Sequence, residues 1–244
     1  MLHALNGRKA RFAAFRGAGL RLPLEDVVTS SIFGPLDFMR EDDRAEALTK
    51  LLSELGLSVP PLSGSIRLLF WPKLPVGDVS LRSRYTEPDL VLADGRGPRV
   101  ILEVKWGAPL GEHELAAQWS SVPALMRADA LHLMIVRQPS EYQADIASDK
   151  ALLGRSGCAP WRFEMRSWRE VARAAKLVAS SKVAPATQAW CGAVANLLGR
   201  EERCAIHGWN SLALHRVPAA DWRYRRPWFD HLLAVNYLQG WWLS

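Results

Sequence analysis

Cysteine is scarce in this chain: Cys158, Cys191 and Cys204 are the only three in 244 residues, widely spaced and odd in number. That pattern excludes a disulfide framework and a paired CxxC metal site, and leaves buried free thiols as the simplest reading. Long apolar runs are lacking too. No stretch of about 18 uncharged apolar residues occurs, so no membrane-spanning helix is expected. The opening MLHALNGRKARFAAFRGAGL is broken by Lys9, Arg11 and Arg16, with no apolar segment ahead of a small-residue cleavage site, and the expectation is a cytoplasmic protein with no membrane partner. GxxxxGK[ST], GxSxG and a His-x-Glu with paired cysteines are all missing, which argues against P-loop, hydrolase-elbow and zinc-deaminase chemistry. There is no internal repeat and no low-complexity run.

Acid is in short supply in one region only. Residues 160–244 hold 12 Lys or Arg against 6 Asp or Glu, while the rest of the chain holds 19 of each sign, so the whole net charge of +6 belongs to the last third. Such an excess steers polyanions. The same third carries much of an unusual tryptophan content: 11 in the chain, with Trp190, Trp209, Trp222, Trp228, Trp241 and Trp242 in the last 55 residues. In DWRYRRPW, Arg223, Arg225 and Arg226 alternate with aromatics, a pattern suited to a phosphate backbone or to base stacking. Most of the tryptophans also read as core or interdomain packing.

The composition, 49% hydrophobic and 23% charged, supports a packed core in one main domain with an appendage. Residues 1–22 read as a basic N-terminal arm. Helical spacing runs through Val28, Ile32 and Leu36, with Gly34-Pro35 set to bend the helix, and again from about Asp42 to Leu55, ending at Gly56. Strands are expected at Ile66 to Trp71, Asp89 to Leu92 and Val100 to Trp106, the last two joined by the turn-forming DGRGP. An amphipathic helix from Leu115 to Met126, interrupted by Pro123, leads to Ala130 to Val136. That segment is apolar nearly throughout, as a covered central strand is, and the intervening helix makes it parallel to the strand before. Helices at Glu141 to Leu153, Trp168 to Ala179, Thr187 to Leu198 and Trp228 to Leu238 follow.

The chemistry concentrates in YTEPDLVLADGRGPRVILEVKW, Tyr85 to Trp106. Glu103 and Lys105 lie inside an apolar strand, two apart and so on one face, and Asp89 precedes the neighbouring strand. Burying unpaired charge is costly, so charges there need a partner or a task. Two carboxylates with the Val104 carbonyl make a hard oxygen site suited to Mg²⁺ or Mn²⁺, and a lysine beside it suits phosphodiester hydrolysis. Each residue alone has a plainer reading: Asp89 as a turn cap after Pro88, Glu103 and Lys105 as a cross-strand ion pair.

Pro88-Asp89 followed by Glu103-Val104-Lys105, with 13 residues between, resembles the PD-(D/E)xK nuclease superfamily. The resemblance implies an α/β, restriction-endonuclease-like core of order αβββαβ, a mixed central sheet flanked by helices, over residues 23–159, with 160–244 as a helical, basic, Trp-rich extension. It implies that Asp89 and Glu103 are metal ligands and Lys105 the catalytic lysine. Glu25, or Asp26 in second place, would be the acid from the first helix, and Gln118 the polar residue from the helix after the motif strand. Glu25 reads equally as a helix N-terminal acid, and Gln118 as an exposed helix residue. The expected function is a Mg²⁺-dependent nuclease acting on DNA, with RNA as the alternative, similar to a bacterial branch tied to defence or mobile elements. It would work as a homodimer or with a partner protein. The rival is a nuclease-fold nucleic-acid-binding or assembly subunit of a multi-protein defence system that does not cut. His113 reads as an exposed helix start within reach of substrate, and His132 as a satisfied core or edge histidine.

Overall fold

The computed structural model describes residues 25–199, apart from 60, 61, 63, 64, 78, 80–82 and 159. These all fall in the first of two compact units, residues 1–206; the second, 207–244, contains Arg223, Arg225 and Arg226, which therefore lie outside the described residues, as do the arm at 1–22 and Cys204.

The chain opens with α1 (Glu25–Phe33), whose first turn carries Glu25 and Asp26, where acids complement the helix dipole. Gly34-Pro35 tightens it into a 3₁₀ turn, Gly34–Phe38. The Trp190 indole N–H then donates to the exposed end of the helix at the Ile32 carbonyl, 2.8 Å. α2 (Glu41–Glu54) starts on three acids, buries Ala47, Leu48, Leu51 and Leu52, and stops where Gly56 takes a left-handed φ of 69°.

Five strands form the main sheet in the order β1-β4-β5-β6-β7: β1 (Arg67–Phe70), β4 (Leu90–Asp94), β5 (Gly97–Lys105), β6 (Leu131–Val136) and β7 (Phe163–Ser167). β1 and β5 each run antiparallel to β4, which lies between them, and β6 and β7 run parallel to β5. The parallel step is the expected one, because α3 (Glu114–Ser120) crosses between β5 and β6. Pro123 ends that helix early, and Ala124–Met126 forms a separate 3₁₀ turn. A two-stranded ribbon, β2 (Leu74–Pro75) with β3 (Tyr85–Thr86), is inserted between β1 and β4.

Helices cover both faces. Leu92, Val100, Leu102, Val104, Leu133 and Ile135 pack toward α1, α2, α5 (Trp168–Ala179) and α6 (Pro185–Gly199). Val91, Ala93 and Ile101 pack on the other face, with Ala116 and Trp119 of α3 and Leu153 of α4 (Gln143–Arg155). Even-numbered residues of β5 thus face the first group and odd-numbered ones face α3, the period-two alternation of a strand.

The core extends beyond the boundary expected at residue 159. β7 is a fifth strand of the same sheet, and α5 buries Trp168, Val171, Ala174, Ala175 and Val178 in the same cluster as β4 and β5. The FEMRS of β7 is only partly buried, so its apolar pattern is faint. Among the described residues no helix is long and apolar enough to cross a membrane.

Candidate active site

β4 begins at Leu90, paired with Leu102 of β5, so β5 outruns it and Asp89 stands beside the overhang. There the Asp89 carboxylate replaces a neighbouring strand: its Oδ2 accepts the Val104 N–H at 2.8 Å. A strand residue points its N–H and C=O to the same side, so the Val104 carbonyl is turned toward Asp89 as well. The other carboxylate oxygen accepts the indole N–H of Trp71 at 3.2 Å, and the Trp71 backbone N–H reaches the Asp89 carbonyl at 3.1 Å. Trp71 makes both bonds from a left-handed backbone, φ 49°, rare for a bulky residue.

On the α3 side of β5, Glu103 is 3% exposed and bridges two donors. Its Oε1 lies 2.7 Å from Lys105 Nζ, and its Oε2 accepts the Gln118 amide N–H at 2.6 Å. Lys105 also contacts both oxygens of Glu114 at 3.3 Å. Glu114 is held in turn by the Gly111 N–H, 2.7 Å. Gln118 is fully buried, which removes the exposed-helix reading. Its carbonyl oxygen sits 3.0 Å from His132 Nε2, and His132 Nδ1 accepts from the Trp161 indole at 3.2 Å. His132 is thus the satisfied core histidine its strand position suggested.

Glu25 reaches the same end of β5 from α1. Its Oε1 accepts the N–H groups of Trp106 at 2.6 Å and Ala108 at 3.1 Å, fixing the loop that follows Lys105. The Tyr142 hydroxyl donates to the Ala108 carbonyl at 2.9 Å from the opposite side. Asp89, Glu103, Lys105, Gln118 and Glu25 are therefore gathered around the overhang.

The electrostatics there are acid-heavy. Burial is the main force on Asp89 and lifts its carboxyl from 3.8 to about 7, against the Val104 N–H and the Lys105 charge, which pull the other way; Asp26 adds to the rise. Burial also pushes Glu103 well above the usual carboxylate range, with Asp89 and Glu114 adding to it. For Lys105, burial favours the neutral amine, but Glu103 and Glu114 outweigh it and hold the ammonium more firmly than usual. Among the described residues Lys105 is thus the cation in contact with Glu103 and Glu114.

Among the described residues no three His, Cys, Asp or Glu side chains are preassembled as a metal cage. Asp89, Glu103 and the Val104 carbonyl supply a partial, oxygen-only donor set of the sort Mg²⁺ accepts while keeping several waters. Burial disfavours the charged forms of Asp89 and Glu103, which a divalent cation would stabilise, so the residues fit such an ion. Glu25 spends one oxygen on backbone N–H groups, and Asp26 is the α1 acid whose charge reaches Asp89.

Trp71, Glu114, His132 and Trp161 are site residues not singled out as such beforehand. Glu114 alone had a usable signal, an acid at the start of the helix that follows the motif strand. Comparisons with known protein families, with characterised proteins and with solved structures return no match.

Proposed function

We propose that the protein is a metal-dependent nuclease with a restriction-endonuclease-like core, hydrolysing phosphodiester bonds, with DNA as the favoured substrate and bacterial defence or mobile-element biology as its setting. The observation that carries this reading is the overhang of β5: two buried carboxylates flank the Val104 backbone, and a protonated lysine stands 2.7 Å from one of them. Among the described residues the Lys105 ammonium contacts both Glu103 and Glu114, and its charge also reaches Asp89.

Asp89, Glu103 and the Val104 carbonyl would hold Mg²⁺ or Mn²⁺. A bound ion of this kind would polarise a phosphoryl oxygen and acidify a coordinated water. Lys105, kept charged by Glu103 and Glu114, donates hydrogen bonds to a phosphate oxygen or to the attacking water and stabilises charge at phosphorus; held as an ammonium, it is not the base. Gln118 fixes the Glu103 oxygen turned away from Lys105. Glu25 and Tyr142 shape the loop that borders the substrate's approach.

The test is cleavage of plasmid, linear and single-stranded DNA and of RNA with Mg²⁺ or Mn²⁺, comparing wild type with Asp89→Ala and Lys105→Ala. Activity in wild type that both substitutions abolish supports the reading, and equal activity in all three overturns it. Metal-independent nucleic-acid binding with no cleavage, unaffected by Lys105→Ala, would favour the non-cutting assembly subunit.

A further inference from the structure

A buried polar chain runs behind Glu103 from three different elements, and its direction can be worked out from one end. Trp161 lies in the segment before β7, His132 on β6 and Gln118 on α3. An indole N–H only donates. The Trp161 indole nitrogen is 3.2 Å from His132 Nδ1, so that nitrogen presents its lone pair. A neutral imidazole then carries its proton on Nε2, which is 3.0 Å from Gln118 Oε1. With its oxygen committed to His132, the Gln118 amide turns its NH₂ toward Glu103, 2.6 Å away.

Reversing any member breaks the chain. A flipped Gln118 would set its carbonyl against the Glu103 carboxylate and its NH₂ against an N–H of His132. The opposite histidine tautomer would set N–H against the Trp161 N–H. The first fault lies between fully buried side chains, where an unmet polar group is costly, and the second at a partly buried contact.

We infer that His132 and Trp161 are positioning residues, which fix the Gln118 amide so that it holds Glu103 Oε2 and leaves Oε1 facing Lys105 and the reaction site. Ring packing supports this assignment: Trp119 lies parallel to the imidazole at 6.2 Å, Phe163 edge-on at 5.6 Å and Trp161 tilted at 5.9 Å, so the ring has no room to turn. Burial also keeps the imidazole neutral, with its pKa lowered to about 3. Neither residue touches the reacting groups; each acts through Gln118.

The hydrogen-bond direction stands on its own, and its catalytic consequence rests on the nuclease reading, so the experiment separates the two. Imidazole ¹⁵N NMR on the metal-free wild-type protein at pH 7 should find His132 neutral and protonated on Nε2, and Trp161→Phe should disturb that tautomer. Mn²⁺ titration by calorimetry should then show Trp161→Phe and His132→Leu binding about 10-fold more weakly, the scale typical of a lost ligand-orienting partner. His132→Gln, whose amide places an N–H where Nε2–H stood, should stay near wild type. If His132→Leu does not fold, the other two variants still decide the matter. An Nδ1-protonated or cationic His132 in wild type overturns the inference, as does unchanged Mn²⁺ affinity in Trp161→Phe. A wild type that binds no Mn²⁺ counts against the nuclease reading alone, and the tautomer then decides the chain's direction.

Discussion

One face of one strand carries charge at both ends, and the two ends are built differently. β5 sends Arg99, Ile101, Glu103 and Lys105 toward α3, with Arg99 by the turn and Glu103 and Lys105 at the overhang. At the turn end, Arg99 is matched with Asp94 at 3.4 Å and Asp129 at 3.6 Å. Asp94 also closes the DGRGP turn, accepting the Arg96 N–H at 2.8 Å. At the overhang, by contrast, Lys105 faces Glu103 and Glu114, with Glu25 close enough to act on Lys105, Asp89 on Glu103 and Asp26 on Asp89. The turn end uses charge to hold a shape. The overhang instead gathers carboxylates whose charged forms burial disfavours, as a site does that is completed by something from outside.

Substitutions at each end should separate these roles. The largest effect expected is on cleavage: Lys105→Ala should reduce the rate about 10²–10³-fold, as loss of a charge-stabilising donor does, while Arg99→Ala leaves the rate per folded molecule unchanged, read on supercoiled plasmid with Mn²⁺. Next comes stability, where the order reverses. Arg99→Ala leaves Asp94 buried beside a vacated partner and should cost about 3 kcal/mol, roughly 6–12 °C in Tm for a chain of this size, followed by thermal circular dichroism.

The third comparison concerns pH. A carboxyl whose pKa rises from 3.8 unfolded to about 7 folded binds its proton more tightly in the folded state. Its contribution to stability is full below about pH 4 and is lost as pH rises through 7. Asp89→Asn should therefore raise the metal-free Tm at pH 8 and flatten its slope between pH 5.5 and 7.5. Mn²⁺ should raise the Tm of wild type at pH 8 but not that of the variant, and a metal-free Tm that drops in the variant would refute the account of Asp89. The smallest effect belongs to the turn: Gly97 has φ 122°, and an added Cβ would meet Met126 Sδ at 2.5 Å. Gly97→Ala should cost about 1–2 kcal/mol, roughly 2–8 °C, without change in metal affinity by calorimetry.

The sheet's centre was legible in the sequence because its signals are local. Apolar runs at β4, β5 and β6, the DGRGP turn and the two-residue spacing of Glu103 and Lys105 each act within a few residues. Gln118 was reachable only through the resemblance to the nuclease superfamily, which implies a polar residue on the helix after the motif strand. β7 was missed because its polar residues alternate with Phe163 and Met165 in a partly buried strand, and the ribbon because its strands are two residues long. Trp71 and Trp161 could not have been found the same way: Trp71 meets Asp89 across 18 positions and Trp161 meets His132 across 29, and a single distant contact leaves no periodicity in a sequence.

The start of α3 has a consequence for the order of folding. Its N-cap residue, His113, adopts a left-handed φ of 54° and offers no side-chain cap of its own. The cap comes instead from Asp149 of α4, which accepts the Ala116 N–H at 3.0 Å and contacts His113 Nδ1 at 2.8 Å. Seven residues are too few to stand as a helix alone, so α3 acquires its first turn only when α4 docks. In hydrogen exchange during refolding, protection of the Ala116 amide should appear together with that of α4 and later than that of β4 and β5. The scaffold of the carboxylates is then in place first, and the amide that orients Glu103 arrives with the last helix to close over it.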